Sequence, residues 1–199
     1  VLKIFKIYPN IDLNLMKKNQ DLSNLTASIL IKMKRVFTKY KPDVVLVHGD
    51  TATTLATTMA GFYESIPIAH VEAGLRTYNL QSPFPEEFNR QITSKISNWH
   101  FTPTLLSKKN LISEGLNKSQ ITITGNTVID SLKWVLKKIH KDKKIYKNLI
   151  KKLDKTLSFN WLQKKFVLIT AHRRENFGYG FLQICSAIRE LALIYPDIY

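Results

Sequence analysis

Val44-Val45-Leu46-Val47-His48-Gly49-Asp50-Thr51 carries four aliphatic residues into a glycine turn that ends on an acid and a hydroxyl. A short continuous run of this kind is typical of a strand buried on both faces of a parallel sheet. Thr51 to Glu64 follows, rich in Ala, Leu and Met, and reads as a helix. Ile66-Pro67-Ile68-Ala69-His70-Val71 is the next strand, with its proline near the start, where a missing donor matters least. Asp50 and Glu72 stand 22 positions apart, about one compact strand–helix–strand unit. Both carboxylates are therefore expected on the same edge of the sheet. In open parallel sheets that edge, outside the carboxyl ends of the strands, is where ligands bind. An enzyme is the expectation.

On the N-terminal side, Leu22, Leu25, Ile29, Met33, Val36 and Phe37 recur at the spacing of an amphipathic helix over residues 21–39. Lys41-Pro42-Asp43 stops it, because proline cannot continue the hydrogen-bond ladder. On the C-terminal side, 78–85 reads as a loop and 86–96 as a helix with Glu86 and Glu87 in its first turn. Trp99-His100-Phe101 and Ile121-Thr122-Ile123-Thr124 are two more short strands around a helix near 107–114. Gly125-Asn126 closes the series, and a new helix begins over 128–139. The lysine-rich stretch 141–165 reads as a boundary region. Phe166-Val167-Leu168-Ile169-Thr170 is then expected as a buried strand ending at His172, and 181–194 as a helix halted by Tyr195-Pro196-Asp197.

These elements predict an α/β fold with a doubly wound parallel sheet. Residues 1–125 would form the first domain, and 126–199 a linker helix and the start of an incomplete second one. Residue 1 is Val, and no strand with a glycine-rich turn precedes the first long helix. The expectation is a chain cut at both ends.

Thirty basic residues against 15 acidic ones give a net charge of +15, which invites a nucleic-acid reading. Many lysines, however, cluster between Lys133 and Lys165 and are interrupted by Ile139, Ile145, Leu149, Ile150 and Leu153. That is the pattern of a solvated helical face, and no nucleic-acid motif accompanies it, so no nucleic-acid partner is expected. A basic field also steers small anions such as nucleotide sugars. No run of about 18 apolar residues exists, so no membrane partner is expected either. The single cysteine, Cys185, permits no intrachain disulfide and suits the cytoplasm. His48, His70, His100, His140 and His172 form no His-x-x-x-His pair, so no metal is expected. No Gly-x-Ser-x-Gly elbow supports a serine nucleophile.

Each candidate residue has a structural alternative. Gly-Asp-Thr after a strand is a helix-start signature, with Asp50 or Thr51 as the cap. Glu72 has a salt bridge with Arg76 as its alternative, and Glu86 a first-turn acid. Two carboxylates at neighbouring strand ends can instead have their proton affinities pushed apart, one serving as acid and the other as base. His172-Arg173-Arg174 at a strand end near a helix start suits a diphosphate, or else is surface charge.

Five segments together, His48-Gly49-Asp50-Thr51, His70 to Thr77, Pro85 to Arg90, His172 to Asn176 and Gly125 to Asp130, resemble the bacterial non-hydrolysing UDP-N-acetylglucosamine 2-epimerases. The likeness runs from about Leu2 to the last helix. It implies two Rossmann-like domains facing each other across a cleft (the GT-B arrangement), homodimers, a UDP-sugar substrate and no cofactor. The implied reaction inverts C2 of UDP-N-acetylglucosamine to give UDP-N-acetylmannosamine, by elimination and re-addition of UDP. The product would feed surface polysaccharide such as enterobacterial common antigen. By motif, Asp50, Glu72 and Glu86 match the family's catalytic carboxylates, and His172 the histidine beside the diphosphate. Arg173, Arg174 and Arg76 join His172 as substrate-binding candidates. Asp50 and Glu86 are expected to exchange protons with C2, with Glu72 orienting or assisting. The family's opening Gly-Thr-Arg-Pro-Glu turn and most of its second domain have no counterpart here, so little turnover is expected from these residues alone. A GT-B glycosyltransferase or a hydrolysing epimerase is the nearest alternative, and a non-catalytic polyanion-binding remnant the next.

Overall fold

In the structure, a computed structural model, residues 2–17, 20–170 and 178–199 are described. They fall into two compact units, 1–130 and 131–199.

Unit 1 is built on a parallel sheet in the order β1-β2-β3-β4, with β1 Val45–His48, β2 Ile68–Val71, β3 Trp99–Thr102 and β4 Ile121–Ile123. A short helix α1 (Leu2–Phe5) precedes the long α2 (Leu22–Tyr40), and α3 (Ala52–Tyr63), α4 (Glu86–Ile96) and α5 (Leu105–Ser113) connect the strands. Every connection from strand to strand is thus a helical crossover, which parallel pairing demands. Asp21 caps α2 by accepting from Asn24 N, and the helix ends at Lys41 in the left-handed region (φ 43°), just before Pro42.

The main core sits on one face of the sheet. Val45, Val47 and Ile68 pack there with Phe37 of α2 and Ala60 of α3, flanked by Met33, Val36 and Ile96. A smaller cluster of Ala73, Leu111 and Ile121 lies under α5. Alternate residues of β1 point away: Leu46 is 65% exposed. The expectation of a strand buried on both faces is therefore corrected. As the edge strand, β1 is covered by helices on one side only, so its unbroken aliphatic run overstated its burial.

Unit 2 continues α6 (Thr127–Lys141) and adds α7 (Lys143–Thr156) and α8 (Tyr179–Ile194). The stretch expected as a weakly patterned boundary holds a 14-residue helix, α7. Asp142 caps it by accepting from Lys144 N and Ile145 N, and Ile145, Leu149, Ile150 and Leu153 supply a helical stripe that the dense lysines masked. The strand expected over 166–170 is not formed: no ladder runs through it, and Leu168 is 83% exposed. A buried parallel strand needs strand neighbours, and among its described residues unit 2 offers none. Two backbone hydrogen bonds instead tie this segment to the last residue, Val167 N to Tyr199 O at 2.7 Å and Tyr199 N to Lys165 O at 3.0 Å.

Candidate active site

β1 runs out at His48, and Gly49 turns the chain with φ +71° while its N–H still donates to Val71 O. Thr51, not Asp50, caps α3: its Oγ1 accepts from Thr54 N at 3.3 Å. Capping is thus taken by the hydroxyl, and the Asp50 carboxylate is left to point at α4, where Arg90 Nη1 approaches its Oδ2 at 3.3 Å.

β2 ends at Val71 and hands the chain to Glu72 in the left-handed region, φ +66°. A non-glycine residue held there signals constraint by its surroundings. The turn is pinned on both sides. Ala73 N donates to Phe101 O, and Gly74, at φ +87°, lies so close to α5 that a Cβ would stand 2.3 Å from Ser107 O. The result aims Glu72 back across Gly49, whose Cβ position is 3.3 Å from Glu72 Oε2. The exposed His48 ring lies 4.0 Å from the same oxygen and bonds Thr127 Oγ1 at 3.3 Å.

α4 brings in the third acid. Glu86 begins it and is close enough to act electrostatically on Asp50. Burial raises the proton affinity of Asp50, Arg90 opposes that, and Glu72 and Glu86 add to it. Asp50, Glu72 and Glu86 therefore share one field at the carboxyl edge of the sheet.

Behind these acids is a buried polar layer. Glu87, fully buried, accepts from Thr77 N and Tyr78 N (3.0 Å each), from Gln91 Nε2 (2.7 Å) and from Arg90 Nε (2.6 Å). Burial alone would raise its proton affinity. The donors, Gln91 first, overcome that and bring its pKa down from 4.5 to about 2. Asn89 Nδ2 donates to the Asp50 carbonyl at 2.8 Å, and His70 Nε2 bonds the Gly49 carbonyl at 2.8 Å. Glu87, Asn89, Arg90 and His70 were not singled out from the sequence. Three of them sit in the Pro-Glu-Glu-x-Asn-Arg segment, where Glu87 and Arg90 at i, i+3 were the available signal.

Arg76, in the turn after β2, is bound to internal partners. Its side chain has no exposure and is used up internally: Nε and Nη2 hold both oxygens of Glu114 at 2.7 and 2.9 Å, Nη1 donates to Leu75 O, and Nη2 also reaches Ser94 Oγ. It is a fork–fork pair locking the turn to the end of α5. The ion-pair partner of Arg76 is Glu114 and not Glu72. His172, Arg173 and Arg174 lie outside the described residues. Among the described residues no group of His, Cys, Asp or Glu is placed to hold a metal ion, and no helix is long and apolar enough to cross a membrane.

The buried histidines make the fold acid-sensitive. Burial brings His70 from 6.5 down to about 4 against the pull of its Gly49 bond, and burial with Arg76 nearby brings His100 to about 4 as well. Both stay neutral in the folded chain while the unfolded chain protonates them below 6.5. Their stability is therefore complete above that pH and lost as pH falls towards 4. The thermal midpoint of the chain should drop steadily over that window; a flat profile would contradict these environments.

The family model for UDP-N-acetylglucosamine 2-epimerase matches residues 1–199. Over 198 residues the chain is 54% identical to the UDP-N-acetylglucosamine 2-epimerase of Campylobacter jejuni and 49% identical to that of Escherichia coli K12, covering all of this chain and 51% and 52% of those proteins. It therefore spans about half the length of the curated relatives it matches. The crystal structure of the Neisseria meningitidis UDP-GlcNAc 2-epimerase bound to UDP-GlcNAc superposes with a TM-score of 0.90 at 49% identity, over 99% of this chain and 52% of that one. The Methanocaldococcus jannaschii enzyme in complex with UDP-GlcNAc and UDP gives 0.84 at 33% identity, over 99% and 54%. With the whole chain matched and the parallel sheet shared, this protein belongs to the UDP-N-acetylglucosamine 2-epimerase family.

Proposed function

We propose that these residues supply the proton-transfer part of a non-hydrolysing UDP-N-acetylglucosamine 2-epimerase, acting in the cytoplasm on a UDP-sugar without metal or redox cofactor. The observation that carries this reading is the convergence of Asp50, Glu72 and Glu86 on one sheet edge, with the capping duty of Asp50 taken over by Thr51.

The C2 proton of the sugar is not acidic enough to leave on its own. Its removal is coupled to departure of UDP from C1: the C2–H electron pair becomes the C1–C2 double bond as the C1–O bond breaks. UDP carries off that bonding pair, and a carboxylate takes the proton. Protonation of C2 on the opposite face, with return of UDP to C1, gives the manno epimer. Two carboxyl groups on opposite sides of the ring suffice, one to take the proton from C2 and one to give it back. In this reading Asp50 and Glu86 exchange protons with C2, Glu72 orients or assists, and His172 with Arg173 and Arg174 steadies the diphosphate. Residues 126–199 begin the second domain of a homodimer-forming GT-B protein.

Proton NMR in deuterated water tests it, with UDP-N-acetylglucosamine and either this chain or a chimera in which residues 1–199 replace the matching half of the Neisseria meningitidis relative. Loss of the C2 proton signal with appearance of UDP-N-acetylmannosamine is expected from the chimera. Free N-acetylmannosamine would point to hydrolysis instead, and no exchange in a folded chimera would refute the reading.

A further inference from the structure

Among the described residues, Asp50 is the one of the three sheet-edge acids that is gripped by a cation. Asn89 holds its carbonyl at 2.8 Å and Arg90 its carboxylate at 3.3 Å, so two consecutive residues of α4 take the backbone and the side chain of one residue. Among the described residues, neither Glu72 nor Glu86 has an arginine or lysine within ion-pair distance; the neighbour of Glu72 is the His48 ring at 4.0 Å.

The grip is stiff because Arg90 is itself held from behind. Its Nε and Nη2 both meet Glu87 Oε2 at 2.6 Å, and its side chain is 9% exposed. Glu87 cannot swing away, since Thr77 N, Tyr78 N and Gln91 are bound to its two oxygens. The guanidinium therefore has one face committed to a buried carboxylate and one nitrogen, Nη1, presented to Asp50. A planar fork can serve two acids at once in this way; an ammonium on a flexible stem does so poorly.

We propose that Arg90, braced by Glu87, is a positioning residue that orients the Asp50 carboxylate and keeps it ionised, making Asp50 the group that receives the C2 proton. The consequence for catalysis rests on the epimerase reading; the coupling of Arg90 to Asp50 does not. The charged groups facing Asp50 are Arg90, Glu72 and Glu86. Burial and the two glutamates all favour a protonated Asp50, and Arg90 is the largest influence on the other side, ahead of a backbone hydrogen bond. A base must be empty at rest and still hold a proton once it has taken it. Burial provides the second property and Arg90 the first.

The test is a titration of the Asp50 side-chain carboxyl by carbon-13 NMR in this chain. Arg90→Gln should move its midpoint up by about one pH unit or more, since an adjacent arginine lowers an aspartate by that order. Arg90→Lys, which keeps the charge, should leave it nearer the starting value. An unmoved midpoint in folded Arg90→Gln overturns the proposal. Should Arg90→Gln fail to fold, the unmodified chain decides: the Arg90 guanidinium nitrogen signals must shift with the Asp50 midpoint, and signals invariant through that titration overturn the proposal equally. In the chimera, the acid limb of the pH–rate profile should rise with the Asp50 midpoint in Arg90→Gln. Neither titration needs UDP-sugar or turnover. Intact coupling in a chain whose chimera never epimerises would therefore refute the epimerase reading and leave the ion-pair assignment standing.

Discussion

Asp50→Asn should lower C2 proton exchange in the chimera by about 10²–10⁴-fold, the usual contribution of a positioned acid–base group. It should leave the unfolding midpoint nearly unchanged. Asparagine keeps the size of the side chain and an oxygen for Arg90, but it cannot take up a proton. The local fold does not depend on the carboxylate, because Thr51 supplies the α3 cap and Asn89 binds the backbone carbonyl of residue 50, which the substitution keeps. The two readings of Gly-Asp-Thr thus separate cleanly. A capping aspartate would lose about 1 kcal/mol of stability on substitution and no chemistry; a catalytic one loses chemistry and little stability. Exchange by Asp50→Asn within a few-fold of the parent would remove Asp50 from the proton-transfer set.

The parts of this molecule that were legible in its sequence are those governed by local rules. The 86–96 helix is found where its acidic first turn puts it, and the strand ends at His48 and Val71 fall where aliphatic runs meet glycine- or acid-bearing turns. What escaped depends on partners distant in the chain. Arg76 reads as an anion-binding residue, and nothing local reveals that Glu114, 38 positions on, takes hydrogen bonds from its Nε and Nη2. The 166–170 run has strand composition, but a strand exists only beside another, and composition says nothing about whether the neighbour is present. Glu72 was readable as an acid at a strand end. Its left-handed backbone, which turns the carboxylate over Gly49, is imposed by the packing of Gly74 against Ser107. Burial was misjudged on β1 for the same reason, since an aliphatic run does not reveal whether its strand lies at an edge.

Adjacent glutamates in Pro85-Glu86-Glu87 look interchangeable in sequence, yet their expected behaviour on removal is opposite. Glu87→Ala should cost about 3–5 kcal/mol at neutral pH, the range for breaking a buried ion pair and stranding its partner. It would leave Arg90 buried beside an empty position and take the acceptor from Thr77 N and Tyr78 N. Glu86→Ala should change stability by less than about 1 kcal/mol, the scale of a first-turn acid at a helix N-terminus, while reducing exchange. The pH dependence separates the mechanisms further. The folded-state pKa of Glu87 lies at about 2, below its ordinary 4.5, so its contribution is complete above 4.5 and drains away as pH falls towards 2. The stability gap between parent and Glu87→Ala should accordingly be wide at pH 7 and narrow below pH 4.5, read as urea midpoints at both. A gap under about 1 kcal/mol at pH 7 would mean that Thr77, Tyr78 and Arg90 find other partners. A gap that persists unchanged in acid would mean the loss is one of packing, with no charge in it. The same substitution also loosens Arg90, so folded Glu87→Ala should raise the Asp50 titration midpoint without touching Asp50. Glu87, fully buried, would then be controlling the protonation of Asp50 from behind Arg90.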